Sequence, residues 1–177
     1  MLLHPILNKL TNLRLKGMAR AFADQLQQPG IDDLSFEDRF GLLVDVETTE
    51  RENSRLQTRL RKAKLKQLAC IEDIDYRTSR GLDKTVILSL TNCNWIKSHD
   101  NTIIIGATGT GKTYLACALA HKACLHGYTA YYCRLSRLLQ ELSVAKGDGR
   151  YTKLLISLAK INALILDDWG LDPSLPF

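Results

Sequence analysis

The sequence has no long hydrophobic run and no paired cysteine motif. No uninterrupted apolar stretch approaches the roughly 20 residues that cross a bilayer, so a membrane-spanning helix is not expected. The opening MLLHPILNKL carries Asn8 and Lys9 where a signal peptide keeps its apolar region. The five cysteines form no C-x-x-C pair, and an odd count argues against a disulfide framework. These absences predict a cytoplasmic protein with no membrane partner.

Internal repeats and low-complexity tracts are also absent, and the excess positive charge is confined to one segment. The chain has 177 residues, of which 45% are hydrophobic, enough for a substantial packed core. Residues 51–66, RENSRLQTRLRKAKLK, contain seven Lys or Arg and one Glu. The other residues carry 17 basic and 18 acidic side chains, so the net charge of +5 comes from this segment.

Two different periodicities divide the chain. Residues 1–30 show helical apolar spacing that stops at QQPG, and Ser35 with Asp38 predicts the start of a long polar helix reaching about residue 68. A further helix is predicted over 84–96. From residue 102 onward, strand and helix patterns alternate, which indicates a parallel sheet covered by helices. We predict strands at 102–105, 128–134 and 162–168, the last one buried, and helices at 112–126, 135–146 with Ser136 as cap, and 150–160.

A phosphate-binding loop is the strongest motif in the sequence. Residues 106–113, GATGTGKT, satisfy G-x-x-x-x-G-K-[ST], after a β-branched run and before an Ala/Leu-rich helix. Glycines let backbone N–H groups turn inward around an anion, and the helix directs its positive end at the phosphates. Lys112 is expected to reach the β- and γ-phosphates and to act in catalysis. The predicted nucleotide-binding residues are Gly106, Ala107, Thr108, Gly109, Thr110, Gly111, Lys112 and Thr113.

An acidic pair after the last predicted strand completes this site. The run ALILDD delivers Asp167 at the carboxyl end of a strand, where open α/β sheets place their ligands. We expect Thr113 and Asp167 to hold Mg²⁺, and Asp168 to orient water or accept a proton. An apolar strand that ends in two aspartates is by itself weak evidence for a metal site. The phosphate loop earlier in the sequence strengthens that prediction.

The basic segment predicts a charged stripe on one helix face. Five of its cations fall within an arc of about 80° at 100° per residue: Arg51, Arg55, Arg59, Lys62 and Lys66. Such a stripe suits the phosphates of double-stranded DNA, with salt-sensitive and sequence-independent attraction. The alternative is a solvated helix face, which charged stripes often are.

One apparent metal motif is better explained by packing. Cys117, His121 and Cys124 share a helix face, but that helix must bury a face against the sheet, and small cysteines suit a buried position.

The sequence resembles the IstB-like ATPases, the helper proteins of a class of bacterial insertion sequences related to the DnaC and DnaA-type AAA+ proteins. The likeness rests on RLKGMARAF, IDYRTSRGLDK, the stretch around GTGKTYLACAL, GDGRYTKLL and LILDDWGL, and extends over about residues 10–172. It implies an α/β AAA+ P-loop NTPase, a three-layer core with a parallel sheet, preceded by an all-α region. It also implies binding of ATP and Mg²⁺, a transposase partner and homo-oligomerisation around DNA.

The resemblance further implies a division into three parts and an incomplete core. We expect a helical region with the basic helix at 1–70, a linker and helix at 71–98, and a partial AAA+ core at 99–177. The family's sensor strand and arginine finger follow the point where this sequence stops, and SLPF differs from the family's continuation. We therefore expect a truncated copy. The sensor strand lies between the strand ending at Ile105 and the strand ending at Leu166, so those two either pair directly or leave the sheet open.

Two other functions remain compatible with the same residues. A replicative helicase loader of DnaC type uses the same motor, with an N-terminal region that binds a helicase. A non-catalytic remnant would bind nucleotide weakly or not at all. The basic stripe and LILDDWGL favour the transposition helper over the helicase loader, whereas the missing sensor strand favours the remnant for the isolated chain.

Overall fold

The computed structural model describes residues 5–77 and 81–169. The chain forms two compact units, Met1–Gln57 and Thr58–Phe177. The SLPF ending, at positions 174–177, lies outside the described residues. Among the described residues, no helix combines the length and the apolar character that crossing a bilayer requires.

The first unit is helical, as the sequence predicts. The described part of the apolar pattern predicted over residues 1–30 forms two helices, because Arg14 takes a left-handed conformation with φ of 60° and breaks the run. The third helix runs from the first unit into the second. The elements are α1 (Pro5–Asn12), α2 (Lys16–Gln25), a 3-10 turn (Ile31–Asp33) and α3 (Phe36–Ala63).

The start of α3 is confirmed, and its end comes earlier than expected. The Ser35 hydroxyl accepts a hydrogen bond from the Asp38 amide at 3.1 Å and donates to the Asp38 carboxylate at 2.7 Å. This pair satisfies one of the amides that a helix start leaves without an internal partner. The helix ends at Ala63 rather than near residue 68, because Lys64 adopts a φ of 49° and leaves the helical conformation.

A buried glutamate joins α2 to α3. Glu47 is 7% exposed, and its Oε2 accepts hydrogen bonds from the backbone amides of Gly17 at 2.8 Å and Met18 at 3.2 Å. The Arg51 guanidinium donates to Oε1 at 2.6 Å. The Arg51 bond lowers the pKa of Glu47, burial opposes that effect, and the two amide bonds add to it, leaving the pKa below its ordinary value. The carboxylate therefore caps the first turn of α2 from the side of α3.

The second unit contains helices around a parallel pair of strands. Its elements are α4 (Lys84–Thr91), α5 (Asn94–Lys97), α6 (Lys112–Leu125), β1 (Ala130–Arg134), α7 (Leu135–Gly147), α8 (Tyr151–Ala159) and β2 (Ala163–Asp167), with a 3-10 turn at Ile71–Asp73. The helix predicted over 84–96 is interrupted, because Cys93 takes a left-handed φ of 55°. Ser136 is not the cap of α7: the helix starts at Leu135, and Arg134 holds the cap position.

The sheet is parallel, as predicted, but the first predicted strand is wrong. β1 and β2 pair in register from Ala130 opposite Ala163 to Arg134 opposite Asp167. Residues 102–105 belong to an irregular segment in which Ile103 and Ile105 are 81% and 90% exposed. A strand is stabilised by its ladder partner, and within residues 5–77 and 81–169 this segment pairs with none. Without the sensor strand, we expect either direct pairing between residues 102–105 and β2 or an open sheet. Within the described residues, the sheet is open.

The same open sheet corrects the prediction that β2 is buried. Ala163 is buried, whereas Leu164 is 40% exposed and the rest of the strand is half-buried. Within the described residues β2 pairs with β1 alone, so fewer neighbours cover it than cover a strand inside a wider parallel sheet.

The core of the second unit lies along α6, which packs against both strands. Cys117 and Cys124 are fully buried free thiols, which confirms that they are packing residues. The described residues contain no group of three or more His, Cys, Asp or Glu arranged to hold a metal ion. The core cluster comprises Ala69, Ile71, Ile74, Ile87, Leu115, Cys117, Ala118, Leu119 and Tyr132.

Replacing glycine by alanine should have opposite effects at Gly17, where α2 packs against α3, and at Gly41 within α3. A Cβ at Gly17 would lie 2.7 Å from the Glu47 Cα and 2.9 Å from the Val46 carbonyl oxygen, both backbone atoms. Gly17→Ala should therefore destabilise the protein by about 1–3 kcal/mol. In Gly41→Ala the new methyl has no neighbour within 4 Å, and the helix should gain about 0.5–1 kcal/mol. Urea unfolding followed by circular dichroism measures both, and changes of the same sign would contradict this packing.

Candidate nucleotide-binding site

The predicted phosphate loop has the backbone conformation that its glycines allow. Gly109 and Gly111 adopt φ of 84° and 89°, in the left-handed region that favours glycine. The loop runs directly into α6, which begins at Lys112. The sequence predicts a strand, the phosphate loop and a helix in succession. The loop and the helix are present, whereas the segment before the loop is irregular.

The start of α6 is suited to an anion. Gly111 occupies the cap position and offers no side chain, so no side-chain cap is bonded to the first turn of the helix. Free amides in a first turn, together with the helix dipole, attract negative charge. With 14 residues, α6 is long enough for its N-terminus to attract an anion in this way.

The Lys112 side chain folds back over the loop. Its Nζ donates hydrogen bonds to the carbonyl oxygens of Gly106 and Ala107, each at 2.8 Å. The Thr110 hydroxyl also donates to the Ala107 carbonyl at 2.8 Å, which tightens the same turn. The ammonium is thus held above the loop by two neutral acceptors, and a phosphate is a stronger, charged acceptor for the same donor.

Thr113 and Asp167, predicted as the metal ligands, are in direct contact. The Thr113 hydroxyl donates to the Asp167 Oδ2 at 2.9 Å. These residues are 54 positions apart, and they meet because β2 ends beside the first turn of α6. The contact brings the phosphate loop and the acidic pair into one site.

Three further groups surround the Asp167 carboxylate. The Tyr132 hydroxyl donates to Oδ2 at 2.6 Å, and the Asp168 amide donates to Oδ1 at 3.1 Å. The Lys66 ammonium lies 3.9 Å from Oδ2. Burial raises the pKa of Asp167, but the bonds from Tyr132, Thr113 and Asp168 and the charge of Lys66 outweigh it and leave the pKa below its ordinary value. Asp167 is therefore a carboxylate at neutral pH.

The residues present fit a magnesium ion. Hydroxyl and carboxylate oxygens are the hard donors that Mg²⁺ prefers, and Mg²⁺ is usually held by few protein ligands together with phosphate oxygens and water. The Thr113 and Asp167 oxygens are close enough to serve one cation.

Asp168 has a different surrounding from Asp167. Its backbone takes a left-handed φ of 59°, and its Oδ2 lies 3.2 Å from the Arg134 guanidinium at the end of β1. The side chain is partly exposed, so water can reach it. Asp168 thus remains next to the proposed metal ligand, with an arginine that balances its charge.

The predicted DNA-binding residues are divided between internal contacts and solvent. In the first unit, Arg51 pairs with Glu47, and Arg55 is exposed. In the second unit, the Arg59 guanidinium donates to the Cys124 carbonyl at 2.9 Å, and Lys66 faces Asp167. Lys62 is exposed. Three of the five therefore have a contact within the protein.

Two residues at the site were not predicted to act there. The sequence pattern assigns Tyr132 only to a strand and Lys66 only to the basic stripe. The register that sets Arg134 opposite Asp167 also makes Tyr132 a diagonal neighbour of Asp167 on the same sheet face. Period-two alternation indicates that Tyr132 and Arg134 share a face, but the pairing register is a tertiary property.

Comparison with known proteins finds one matching family and several similar proteins. The family described as IstB-like ATP binding protein matches residues 8–175. A Pseudomonas fluorescens protein named as an ATP-binding protein of insertion sequence IS1162 is 48% identical over 93% of this chain and 72% of its own length. A similarly named insertion-sequence protein from Sinorhizobium fredii is 46% identical over 98% of this chain and 71% of its own.

A more distant relative, named as an ATP-binding protein in an insertion sequence of Mycobacterium tuberculosis, is 30% identical over 93% of this chain and 65% of its own length. The family match spans almost the whole chain and includes both the phosphate loop and Asp167. The predicted P-loop NTPase fold class, with a parallel sheet and a helical N-terminal region, is confirmed. The chain therefore belongs to the IstB-like ATP-binding proteins.

Proposed function

We propose that this chain binds ATP together with Mg²⁺ and assists a transposase in the movement of an insertion sequence. The observation that carries the proposal is the contact between the Thr113 hydroxyl and the Asp167 carboxylate at the start of α6. It joins the residues expected to bind phosphate to the residue expected to hold the cation. The names of the relatives, which are insertion-sequence ATP-binding proteins, support the biological setting.

In this proposal the phosphate loop, the metal ligands and Asp168 have separate tasks. The backbone of residues 106–111 and the first turn of α6 surround the phosphates, and Lys112 exchanges its two loop carbonyls for phosphate oxygens. Thr113 and Asp167 hold the Mg²⁺, which neutralises phosphate charge when bound. Asp168 orients a water beside Asp167, with Arg134 holding its carboxylate in place.

Contact with double-stranded DNA is the second part of the proposal. Arg55 and Lys62 are exposed, and within the part of the chain that the structure describes neither forms a salt bridge, which suits contacts with DNA phosphates. A family member of this kind is expected to act as a homo-oligomer beside its transposase, in the cytoplasm where its DNA substrate lies. The sequence resemblance supports these roles, and the names of the relatives support an insertion-sequence setting for them.

Nucleotide binding should depend on Lys112 and not on a second lysine of the same helix. Lys112→Ala removes a charged hydrogen-bond donor worth about 1.5–3 kcal/mol, so affinity for a fluorescent ATP analogue should fall about 10- to 100-fold. Lys122→Ala is the matched control: Lys122 lies in the last turn of α6, and its ammonium contacts Glu72 at 3.3 Å. Equal affinity of wild-type and Lys112→Ala proteins, both folded by circular dichroism, would contradict nucleotide binding at this loop.

Duplex binding should depend on the exposed cations of α3. Arg55→Glu and Lys62→Glu, made separately, should each weaken binding, and the slope of log affinity against log salt should fall by about 1 for each lost phosphate contact. Lys153→Glu, an exposed lysine on α8, makes the same charge change outside the stripe. Fluorescence anisotropy with labelled duplexes measures the effect. Losses no larger than that of Lys153→Glu would show that the stripe is a solvated helix face.

A further inference from the structure

Tyr132 is a buried residue whose hydroxyl lies at the proposed metal ligand. It sits on β1, is 9% exposed and belongs to the core cluster with Cys117 and Leu119 of α6. Packing therefore fixes its ring. The register of the two strands directs the side chain diagonally towards Asp167 at the end of β2. Core packing, and not the exposed phosphate loop, therefore sets the position of the Tyr132 hydroxyl.

The hydrogen bond from Tyr132 is the shortest of those recorded for the Asp167 carboxylate. The distance of 2.6 Å to Oδ2 is typical of an O–H donor bonded to an ionised acceptor. A phenol has one donor, and here it is given to Asp167. A buried hydroxyl without a partner is unfavourable, so this tyrosine and this carboxylate satisfy each other.

Apart from the amide of the adjacent Asp168, the other contacts of Asp167 come from a group that is expected to bind the cation and from an exposed lysine. Thr113 donates to the same oxygen at 2.9 Å, but its hydroxyl is itself expected to bind the cation. Lys66 lies in the exposed segment after α3, and its ammonium is 3.9 Å away. Tyr132 is a neutral donor on a paired strand, so it can retain Asp167 in one orientation while the other contacts change. Groups that orient a metal ligand in this way commonly affect metal affinity 10- to 100-fold.

We infer that Tyr132 is a positioning residue that orients the Asp167 carboxylate for Mg²⁺ in the nucleotide complex. This inference rests on the proposed function, because it concerns the same site. It assigns Tyr132 to the metal half of the site, whereas Lys112 and the loop backbone serve the phosphate half.

Tyr132→Phe tests the inference by removing one oxygen while keeping the ring. The full chain is titrated with Mg²⁺ at a fixed concentration of fluorescent ATP analogue, and nucleotide binding is also measured with the metal chelated. The Mg²⁺ concentration needed for half-maximal effect should rise about 10- to 100-fold, and binding without metal should stay within about twofold of wild type. Tyr131→Phe is the control, because Tyr131 is the adjacent residue of β1 and its ring faces the Lys64 ammonium instead.

The outcomes separate this inference from the proposed function. If the wild-type chain shows no Mg²⁺-dependent nucleotide binding, the proposed function fails and the inference fails with it. If wild type responds to Mg²⁺ and Tyr132→Phe responds equally, the inference alone is overturned. Equal losses with and without Mg²⁺ would mean that Tyr132 is structural, which also overturns it.

A measurement on the unmodified protein covers the case in which Tyr132→Phe does not fold. Nuclear magnetic resonance of ring-labelled tyrosines reports the environment of each phenol. Adding Mg²⁺ to the nucleotide-loaded wild-type chain should shift the Tyr132 signal more than the Tyr131 signal. Equal shifts, or none, would overturn the inference.

Discussion

The hydrogen bond between Thr113 and Asp167 connects the two halves of the site, and most of the second unit serves to make it. Thr113 is placed by α6, which buries its cysteine, alanine and leucine face against both strands. Asp167 is placed by β2, which pairs with β1 in a single parallel register. A one-residue slip of that register would turn Asp167 to the opposite sheet face. The apolar core therefore determines whether a cation and a phosphate loop can meet.

The charges around this contact form a balanced set. Asp167 accepts hydrogen bonds from side chains of two elements, β1 and α6, and Asp168 faces Arg134 across the ends of the two strands. Lys66 brings a positive charge from the segment that follows the basic helix. Nucleotide with Mg²⁺ adds positive charge at the carboxylate and negative charge at the loop, so Lys66 and Lys112 are the cations most directly affected. The basic segment and the nucleotide site thus share a residue.

Several local motifs were predictable from the sequence, while features that depend on long-range pairing and several helix boundaries were not. The phosphate loop, the start of α6 and the Ser35 cap follow from residues close together in the chain, and each has the expected structure. Residues 102–105 have the β-branched composition of a strand, but composition does not supply a ladder partner. The left-handed conformation of Cys93, which interrupts a predicted helix, has no signature in a non-glycine residue. Tyr132 could be placed at Asp167 only once the register was known.

The most direct test of the central claim, that Thr113 and Asp167 hold one cation beside the bound phosphates, uses manganese in place of magnesium. Electron paramagnetic resonance measures how much Mn²⁺ the protein binds with ATP present. The wild-type chain should bind Mn²⁺ in an ATP-dependent way, and Asp167→Asn should weaken that binding at least about 10-fold, because it removes a charged ligand. Equal ATP-dependent Mn²⁺ binding by wild-type and Asp167→Asn proteins would contradict the claim.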